Sequence, residues 1–285
     1  MDEQLKKYES KVKTEWLDDA TCAAWRKWHD KSVVFWSELT RAQLEVSALA
    51  PGLRVLDLAS GTGDPALEVA RRVGPTGHVV ISDLSPQMLD IAREQANHAG
   101  LSNLSYELVD AHHIPFPDAS FDRVTCRLGV MFFWDCQLAL REIRRVLKPG
   151  GIVSFVAWGP IDRNEYMQAV TTPFSRRQPL PPPQPGAPHP ARFGKPGSLS
   201  AELEAAGFTR VAEESLTVSM RWPGPPEELW TRQYEISAPL RPYFNSFAPA
   251  DQAAAIKEVI AEFHRRYDGR NVVAKTAIVV ASAAR

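Results

Sequence analysis

Three aspartates and one glycine-rich loop carry the residue types and the spacing of a ligand site. Asp57 ends an apolar run, Asp83 ends another run 26 residues later, and Asp110 ends a third after a further 27 residues. Directly after Asp57, residues 61–66 satisfy the loose dinucleotide pattern G-x-G-x-x-G/A. Glycines permit a sharp turn and a close approach to a ligand, and the N–H groups of the following helix point towards it. The loop alone fits NAD as well as other nucleotides.

The three carboxylates narrow the class of ligand. A carboxylate at Asp57 repels a nearby pyrophosphate but suits a cationic ligand or an ammonium group. Asp83 is placed to accept hydrogen bonds from ribose hydroxyls, and Asp110 to meet an adenine amino group. Helix capping and solvation explain any single aspartate at a strand end, whereas three at this spacing after a glycine loop favour a ligand site.

Short β-rich runs alternate with helical patterns and position these residues. Strands are predicted at residues 54–58, 78–82, 104–109, 121–126, 152–158, 211–220 and 275–283. Helix N-caps are predicted at Asp64, Ser85 and Asp135, and proline follows the first two at the first helical position. The alternation implies a parallel sheet with right-handed crossovers, whose carboxyl edge is the ligand crevice.

Residues 54–158 resemble the class I S-adenosylmethionine-dependent methyltransferases. The resemblance rests on RVLDLASGTGD (54–64), VISDLSPQML (80–89), DA (110–111) followed by IPFPDASFD (114–122), and RRVLKPGG (144–151). The DLAxGTGD form is most similar to the ubiquinone/menaquinone C-methyltransferase-like branch (methyltransferase domain type 11). Ala59 departs from the glycine that is usual in the broader family. Residues 1–50 and 160–285 match no single substrate.

The resemblance implies an α/β fold with a Rossmann-like, doubly wound sheet. Its seven strands are expected in the order 3-2-1-4-5-7-6 with the last strand antiparallel, a helical N-terminal cap and a helical insertion before the last strand. The expected divisions are a cap at 1–50, a cofactor-binding core at 51–160, a Pro-rich loop and helix at 161–205, and the remaining edge strands at 206–285 with a helical insertion at about 225–268. Residues 173–196 hold nine prolines and are predicted to form an extended loop, neither helix interior nor central strand.

The same resemblance implies S-adenosyl-L-methionine as the cofactor and assigns residues to it. The loop lies closest to the methionine part, Asp83 holds the ribose, and Asp110 frames the adenine. The full predicted set is Asp57, Ala59, Gly61, Thr62, Gly63, Asp83, Leu84, Met88, Asp110, Ala111 and Arg127. Arg127 borders both cofactor and substrate; it either binds a substrate anion or is a solvated cation at a strand end.

A general base and an acceptor surface are the remaining predicted parts. His113 and His112 follow the third strand and are the candidate bases, unless they are only a polar loop pair. The weaker base candidates are His29, Tyr166 and His264. The flat side chains predicted to contact an apolar acceptor, together with Arg127, are Tyr8, Trp16, Trp25 and Trp28. The alternative is that these aromatic residues only pack a helical core.

Composition limits the classes of function. With 33 Lys+Arg and 34 Asp+Glu among 285 residues, the net charge of −1 disfavours a nucleic-acid partner. The longest apolar runs are far shorter than the roughly 20 residues of a membrane span, and no signal peptide is visible. Three scattered cysteines form no disulfide framework or zinc site, so no metal is expected and the predicted location is the cytoplasm.

The function predicted from the sequence is S-adenosylmethionine-dependent methylation, on C or O, of a small, apolar or aromatic metabolite. The first alternative is an NAD-dependent oxidoreductase that uses the glycine loop. The second is a non-catalytic S-adenosylmethionine-binding protein, and a nucleic-acid methyltransferase is a third, disfavoured by charge. The sequence leaves the acceptor, the methylated atom and the oligomeric state open.

Overall fold

One seven-stranded sheet forms the centre of the molecule. The computed structural model describes residues 3–180, 182–184 and 186–285. The strands are β1 Arg54–Leu58, β2 His78–Asp83, β3 Leu104–Leu108, β4 Phe121–Arg127, β5 Leu147–Trp158, β6 Thr209–Trp222 and β7 Val272–Ala284. They lie in the order β3-β2-β1-β4-β5-β7-β6, and β7 runs antiparallel to both of its neighbours. The predicted strand order and the antiparallel last strand are therefore confirmed.

The parallel strands are short apolar runs, as expected where helices cover both faces of a sheet. Val55 and Leu56 are fully buried, and so are Val79 and Ile81 in the neighbouring strand. The register places Asp57 of β1 beside Thr125 of β4, so that the ends of these strands form one edge.

Twelve helices in the described residues flank the sheet or cover its edge. They are α1 Glu3–Trp16, α2 Asp19–Lys27, α3 His29–Phe35, α4 Ser37–Val46, α5 Ala66–Val73, α6 Pro86–His98, α7 Cys136–Val146, α8 Glu165–Ser175, α9 Ser198–Ala205, α10 Pro226–Ile236, α11 Arg241–Phe244 and α12 Pro249–His264. None of the helices in the described part of the chain has the length and apolar character needed to cross a bilayer.

Two of the three predicted helix caps are confirmed. Ser85 accepts a hydrogen bond from the backbone of Met88, and Asp135 accepts one from the backbone of Leu138. The predicted cap at Asp64 is wrong, because α5 begins at Ala66 after a cis Asp64–Pro65 bond and the Asp64 carboxylate binds an arginine instead.

The prediction that residues 173–196 contain no helix interior is wrong at the start of this stretch. α8 continues through Pro173 to Ser175. Pro173 removes one backbone hydrogen bond of the last turn, but the turn is held by burial, because Pro173 is buried and Phe174 is fully buried against Trp230 and Phe244. Pro181 and Pro185 of the predicted loop lie outside the described residues.

The N-terminal helices and the C-terminal insertion form one joined cover. Trp28 donates its indole N–H to Glu235 at 2.6 Å, and Lys31 of α3 pairs with Glu228 of α10. By contrast, α4 packs against β5, where Gln43 donates to the backbone oxygen of Ser154 at 3.3 Å. The predicted 1–50 segment therefore combines helices that touch the insertion with one that supports the sheet; its boundary as a separate unit stays a prediction.

Candidate functional site

One cavity lies at the carboxyl edge of the sheet, between the glycine loop and the cover. Its glycine-loop end is lined by Ala59, Ser60, Gly61, Thr62, Asp83, Leu84, Met88, Asp110, Ala111 and Arg127. Its cap end is lined by Trp16, Trp25, His29, Ser32, Trp36, Tyr166, Arg232 and Gln233. The structure thus brings most of the predicted cofactor residues together around a single space.

The glycine loop has the backbone conformation that its sequence requires. Gly61 has φ +54°, and a Cβ added there would meet no atom within 4 Å, so its α-carbon faces open cavity. Gly63 has φ +99° and lies against α6, where a Cβ would be 3.2 Å from the Cβ of Ala92. Ala59 also has a left-handed φ of +53°, which explains why glycine is the easier residue at this position.

Asp83 holds the loop from the neighbouring strand. Its Oδ2 accepts the N–H of Gly61 at 2.9 Å and its Oδ1 accepts the N–H of Ser85 at 2.9 Å. Burial raises the pKa of Asp83, while these backbone hydrogen bonds oppose that rise. Each carboxylate oxygen keeps a second lone pair, so a half-buried acceptor faces the cavity where a ribose is expected.

Asp57 does not line the cavity, contrary to the expectation from sequence. It is fully buried beneath the loop, with Oδ1 accepting the hydroxyl of Thr125 and Oδ2 without a hydrogen-bond partner among the described residues. Burial raises the pKa of Asp57 to about 6, against the hydrogen bond from Thr125. The structure therefore gives this carboxylate no direct contact with the cavity.

Arg127 lines the cavity with its charge already matched. Its Nη1 lies 2.6 Å from Oδ2 of Asp64 and donates to the hydroxyl of Thr40, and its Nη2 donates to the backbone oxygen of Asp64. The side chain is 6% exposed. The interpretation of Arg127 as a solvated cation is therefore wrong. Because its charge is already paired with Asp64, Arg127 should bind a substrate anion only weakly.

Neither of the two predicted base candidates is placed for that role. His112 is buried, and its Nδ1 lies 2.6 Å from Oδ1 of Asp110 while its Nε2 accepts the N–H of Asp135 at 3.2 Å. Both ring nitrogens are therefore occupied. His113 is exposed and outside the cavity lining. The weaker candidate His264 is exposed as well and pairs with Glu227.

His29 is the histidine that the structure brings to the junction of the two ends. Its Nδ1 lies 2.9 Å from the hydroxyl oxygen of Thr62 in the glycine loop, and it lines the cavity. Its Nε2 makes no hydrogen bond within the described residues. Burial lowers the pKa of His29, which keeps the imidazole neutral and able to accept a proton. The sequence named it only as a weaker candidate, because nothing local links residue 29 to residue 62.

Of the four aromatic residues predicted to contact the acceptor, two lie at the cavity and two do not. Trp16 and Trp25 line it, with ring centroids 6.5 Å apart. Trp28 instead binds Glu235 and packs on Trp222, and Tyr8 donates its hydroxyl to Gln184. Neither Tyr8 nor Trp28 is part of the lining, because each faces the cover or the Pro-rich segment.

Four of the cap-end residues named above were missed as site residues: Ser32, Trp36, Arg232 and Gln233. Trp36 lies 5.2 Å from Trp25 between ring centroids and continues the aromatic wall. Arg232 and Gln233 come from α10, in the predicted insertion. The helical spacing of Trp36 was visible in the sequence, whereas an arginine in a helix that also carries exposed polar residues gives no local signal of burial.

The sheet order and the glycine loop define a Rossmann-like methyltransferase fold. A putative methyltransferase from Bacillus halodurans C-125 has a similar structure, with a TM-score of 0.56 at 22% identity over 87% of this chain and 98% of that one. The [4+2]-cyclase SpnF is also similar, with a TM-score of 0.53 at 24% identity over 87% and 80%. At these identities the similarity concerns the fold alone.

The family follows from the sequence match. A family model described as the ubiE/COQ5 methyltransferase family matches residues 29–177, more than half of the chain, so the chain belongs to that family. The ubiquinone/menaquinone biosynthesis C-methyltransferase UbiE of Ralstonia pickettii (strain 12J) is 42% identical over 132 residues, which are 45% of this chain and 53% of that protein. The chain spans about half the length of the curated relatives it matches.

Proposed function

We propose that this chain transfers a methyl group from S-adenosyl-L-methionine to a small aromatic acceptor, with C-methylation of a quinol-type ring as the specific form. Membership of the ubiE/COQ5 family supports methyl transfer. The name of the Ralstonia pickettii relative, a ubiquinone/menaquinone biosynthesis C-methyltransferase, supports carbon as the methylated atom.

One observation carries the proposal: a single cavity joins the glycine loop to an aromatic wall. Gly61 and Asp83 border one end, and Trp16, Trp25 and Trp36 border the other. A cofactor seated on the loop would therefore share one cavity with a flat, aromatic acceptor. A cavity that holds both reactants aligns them, which lowers the barrier through positioning.

The residues of the glycine-loop end fit the cofactor. The open space at the α-carbon of Gly61 allows close approach of a ligand to the backbone, and Asp83 offers carboxylate lone pairs to ribose hydroxyls. Asp110 and Ala111 border the same space at the end of the next strand. When bound, S-adenosyl-L-methionine supplies a sulfonium methyl group whose carbon–sulfur bond breaks with the electron pair left on sulfur.

The chain's own contribution is to orient the acceptor and to accept its proton. The three tryptophans supply flat surfaces for the acceptor ring. His29 is hydrogen-bonded through Nδ1 to Thr62, and burial lowers its pKa. We assign to its Nε2 the proton that the acceptor loses when its carbon bonds to the methyl group. Thr62 in turn fixes the ring orientation of His29 relative to the loop.

Other functions on this fold make the test necessary. The similar structure of SpnF is named as a cyclase, and one fold serves many reactions. Calorimetry should show binding of S-adenosyl-L-methionine and none of NAD, which separates the proposal from an oxidoreductase. A labelled-methyl assay against quinols, phenols and their quinones should then show transfer; binding of the cofactor without transfer to any acceptor would instead favour a non-catalytic protein.

A pair of histidine variants tests the assignment of the base. His29→Asn should reduce kcat by about 100-fold or more while cofactor affinity stays within a few-fold. His78→Asn is the matched control, because His78 also has its pKa lowered by burial but lies in β2 beside Ser105, outside the cavity lining. Equal losses in both variants would contradict the role of His29.

A further inference from the structure

Arg232 of α10 is a buried cation without a carboxylate. Its side chain is fully buried and lines the cap end of the cavity. Nε and Nη2 donate to the hydroxyl of Ser32 at 3.3 and 3.2 Å, and Nη1 donates to the hydroxyl of Tyr166 at 3.3 Å. No acidic side chain of the described residues forms an ion pair with it, whereas Arg127 in the same cavity is paired with Asp64.

The aromatic surroundings stabilise this charge without neutralising it. The guanidinium carbon lies 4.4 Å from the ring centroid of Trp36 and 5.2 Å from that of Phe35, within the range of cation–π attraction. Burial lowers the pKa of Arg232, and the only opposing group is the hydroxyl of Tyr166. An unpaired buried charge is costly and is rarely retained for stability alone.

Arg232, a lining residue of the cavity, keeps two N–H groups without a partner among the described residues. A guanidinium has five N–H groups, and Arg232 uses three, so one N–H remains on each terminal nitrogen. N–H groups on the two terminal nitrogens of a guanidinium can bind the two oxygens of a carboxylate. The indole N–H groups of Trp16, Trp25 and Trp36 are also buried without a hydrogen-bond partner among the described residues. Among the described residues, the cap end therefore has more donors than acceptors without a partner, and Nε2 of His29 is one such acceptor.

We propose that Arg232 binds the carboxylate of an aromatic acid, so that the methyl acceptor is an anion seated between the three tryptophans. The identification of the bound anion as a methyl acceptor rests on the proposed function. The anion site itself is argued from the geometry of the cavity. Arg232 lies outside residues 29–177, the part matched by the family model. The anion preference is accordingly a property that this chain's insertion adds to the shared core.

The test compares a planar acid with its neutral ester on the full chain. Binding of 2-naphthoate and of methyl 2-naphthoate is measured by calorimetry and by quenching of tryptophan fluorescence. Wild type should bind the acid at least about 10-fold more tightly than the ester, as expected for hydrogen bonds to a charged group. Arg232→Met, which keeps the length and removes the charge, should abolish this preference. Arg232→Lys, which keeps the charge and loses the paired N–H groups, should retain part of it.

Arg241→Met is the matched control. Arg241 is an arginine of the neighbouring α11 that donates to Asp18 and to the hydroxyl of Thr21, and it is outside the cavity lining. Its variant should keep the wild-type preference for the acid. A wild type that binds the ester as well as the acid, or that binds neither, overturns the inference. An unchanged preference for the acid in Arg232→Met also overturns the inference. If circular dichroism shows that the methionine variant does not fold, an unchanged preference in Arg232→Lys overturns it instead.

Turnover separates failure of this inference from failure of the proposed function. If the acid preference depends on Arg232 but no acceptor is methylated, the anion site stands and the methyltransferase proposal fails. If neutral quinols are methylated by wild type and by Arg232→Met at equal kcat and KM, the proposed function stands and the anion site is refuted.

Discussion

The two ends of the cavity differ in how their polar groups are satisfied. At the glycine-loop end, Asp83 accepts two backbone N–H groups and Arg127 is paired with Asp64, although Nε of Arg127 has no partner among the described residues. The charge of Arg127 is thus matched within the protein. At the cap end, Arg232 has no carboxylate partner and Trp36 has a free indole N–H among the described residues. The glycine-loop end is preorganised for the cofactor, whereas under the proposal above the cap end takes its remaining hydrogen-bond acceptors from the methyl acceptor.

Gly61→Val should abolish most cofactor binding at the glycine-loop end, which is the largest effect that we expect. A β-branched side chain is strained at φ +54° and would fill the open space that the cofactor needs, so affinity for S-adenosyl-L-methionine should fall at least about 100-fold by calorimetry. The anion preference at the cap end should survive. Gly150→Val is the matched control, since Gly150 has φ +75° and equally open surroundings but lies outside the cavity. Normal cofactor affinity in a folded Gly61→Val protein would refute the assignment of the loop.

Removing residues 1–17 should disrupt the acceptor site at the cap end and leave the cofactor site at the glycine-loop end intact. Trp16 packs on Trp25 and on Phe132 over the cavity, so its loss opens the acceptor space to water. Turnover should fall by at least about 100-fold, while cofactor affinity stays within a few-fold. Trp16→Ala should change turnover in the same direction with a smaller disturbance of the fold. A folded, truncated protein with near-normal turnover would show that α1 is only structural.

The two ends also differ in how far the sequence predicts them. The glycine loop and the strand-end acids lie close together in the chain, and backbone geometry alone carries them to one edge of a parallel sheet. The cap end is assembled from α1, α2, α3, α8 and α10, so no local spacing joins Trp16 to Arg232. His112 illustrates the limit, since the N–H of Asp135 that occupies its second nitrogen lies 23 residues away. Asp57 illustrates another, because position at a strand end does not reveal that its carboxylate points beneath the loop.

Asp83→Ala should weaken the binding of S-adenosyl-L-methionine at the glycine-loop end. Loss of a carboxylate that accepts hydrogen bonds from the ligand costs about 1–3 kcal/mol, or roughly tenfold to a hundredfold in the affinity for S-adenosyl-L-methionine. Asp57→Asn is the contrasting variant, because that carboxylate is buried beneath the loop and outside the lining. Its cofactor affinity should stay within a few-fold. Equal losses in both variants, measured by calorimetry, would mean that Asp83 acts through loop structure and not through contact.

The smallest expected effect concerns the pH dependence of stability at His29, the residue that touches both ends. Burial places the folded-state pKa of His29 below its ordinary value of 6.5. The unfolded chain therefore binds this proton more readily, so the stability due to neutral His29 is fully present above pH 6.5 and is lost as pH falls below it. His189 contributes in the same direction, whereas Asp57, with its pKa raised to about 6, gains stability as it protonates in acid.

Because these groups oppose one another, the informative quantity is a difference between variants. The midpoint of thermal unfolding should fall less between pH 7.5 and pH 5.5 in His29→Asn than in wild type. His98→Asn is measured beside it as the same replacement outside the cavity, since His98 is exposed at the end of α6. If instead His29→Asn and wild type lose the same stability over this range, His29 is not held neutral at the junction. The cavity would then lack the proton acceptor that links its glycine-loop end to its cap end.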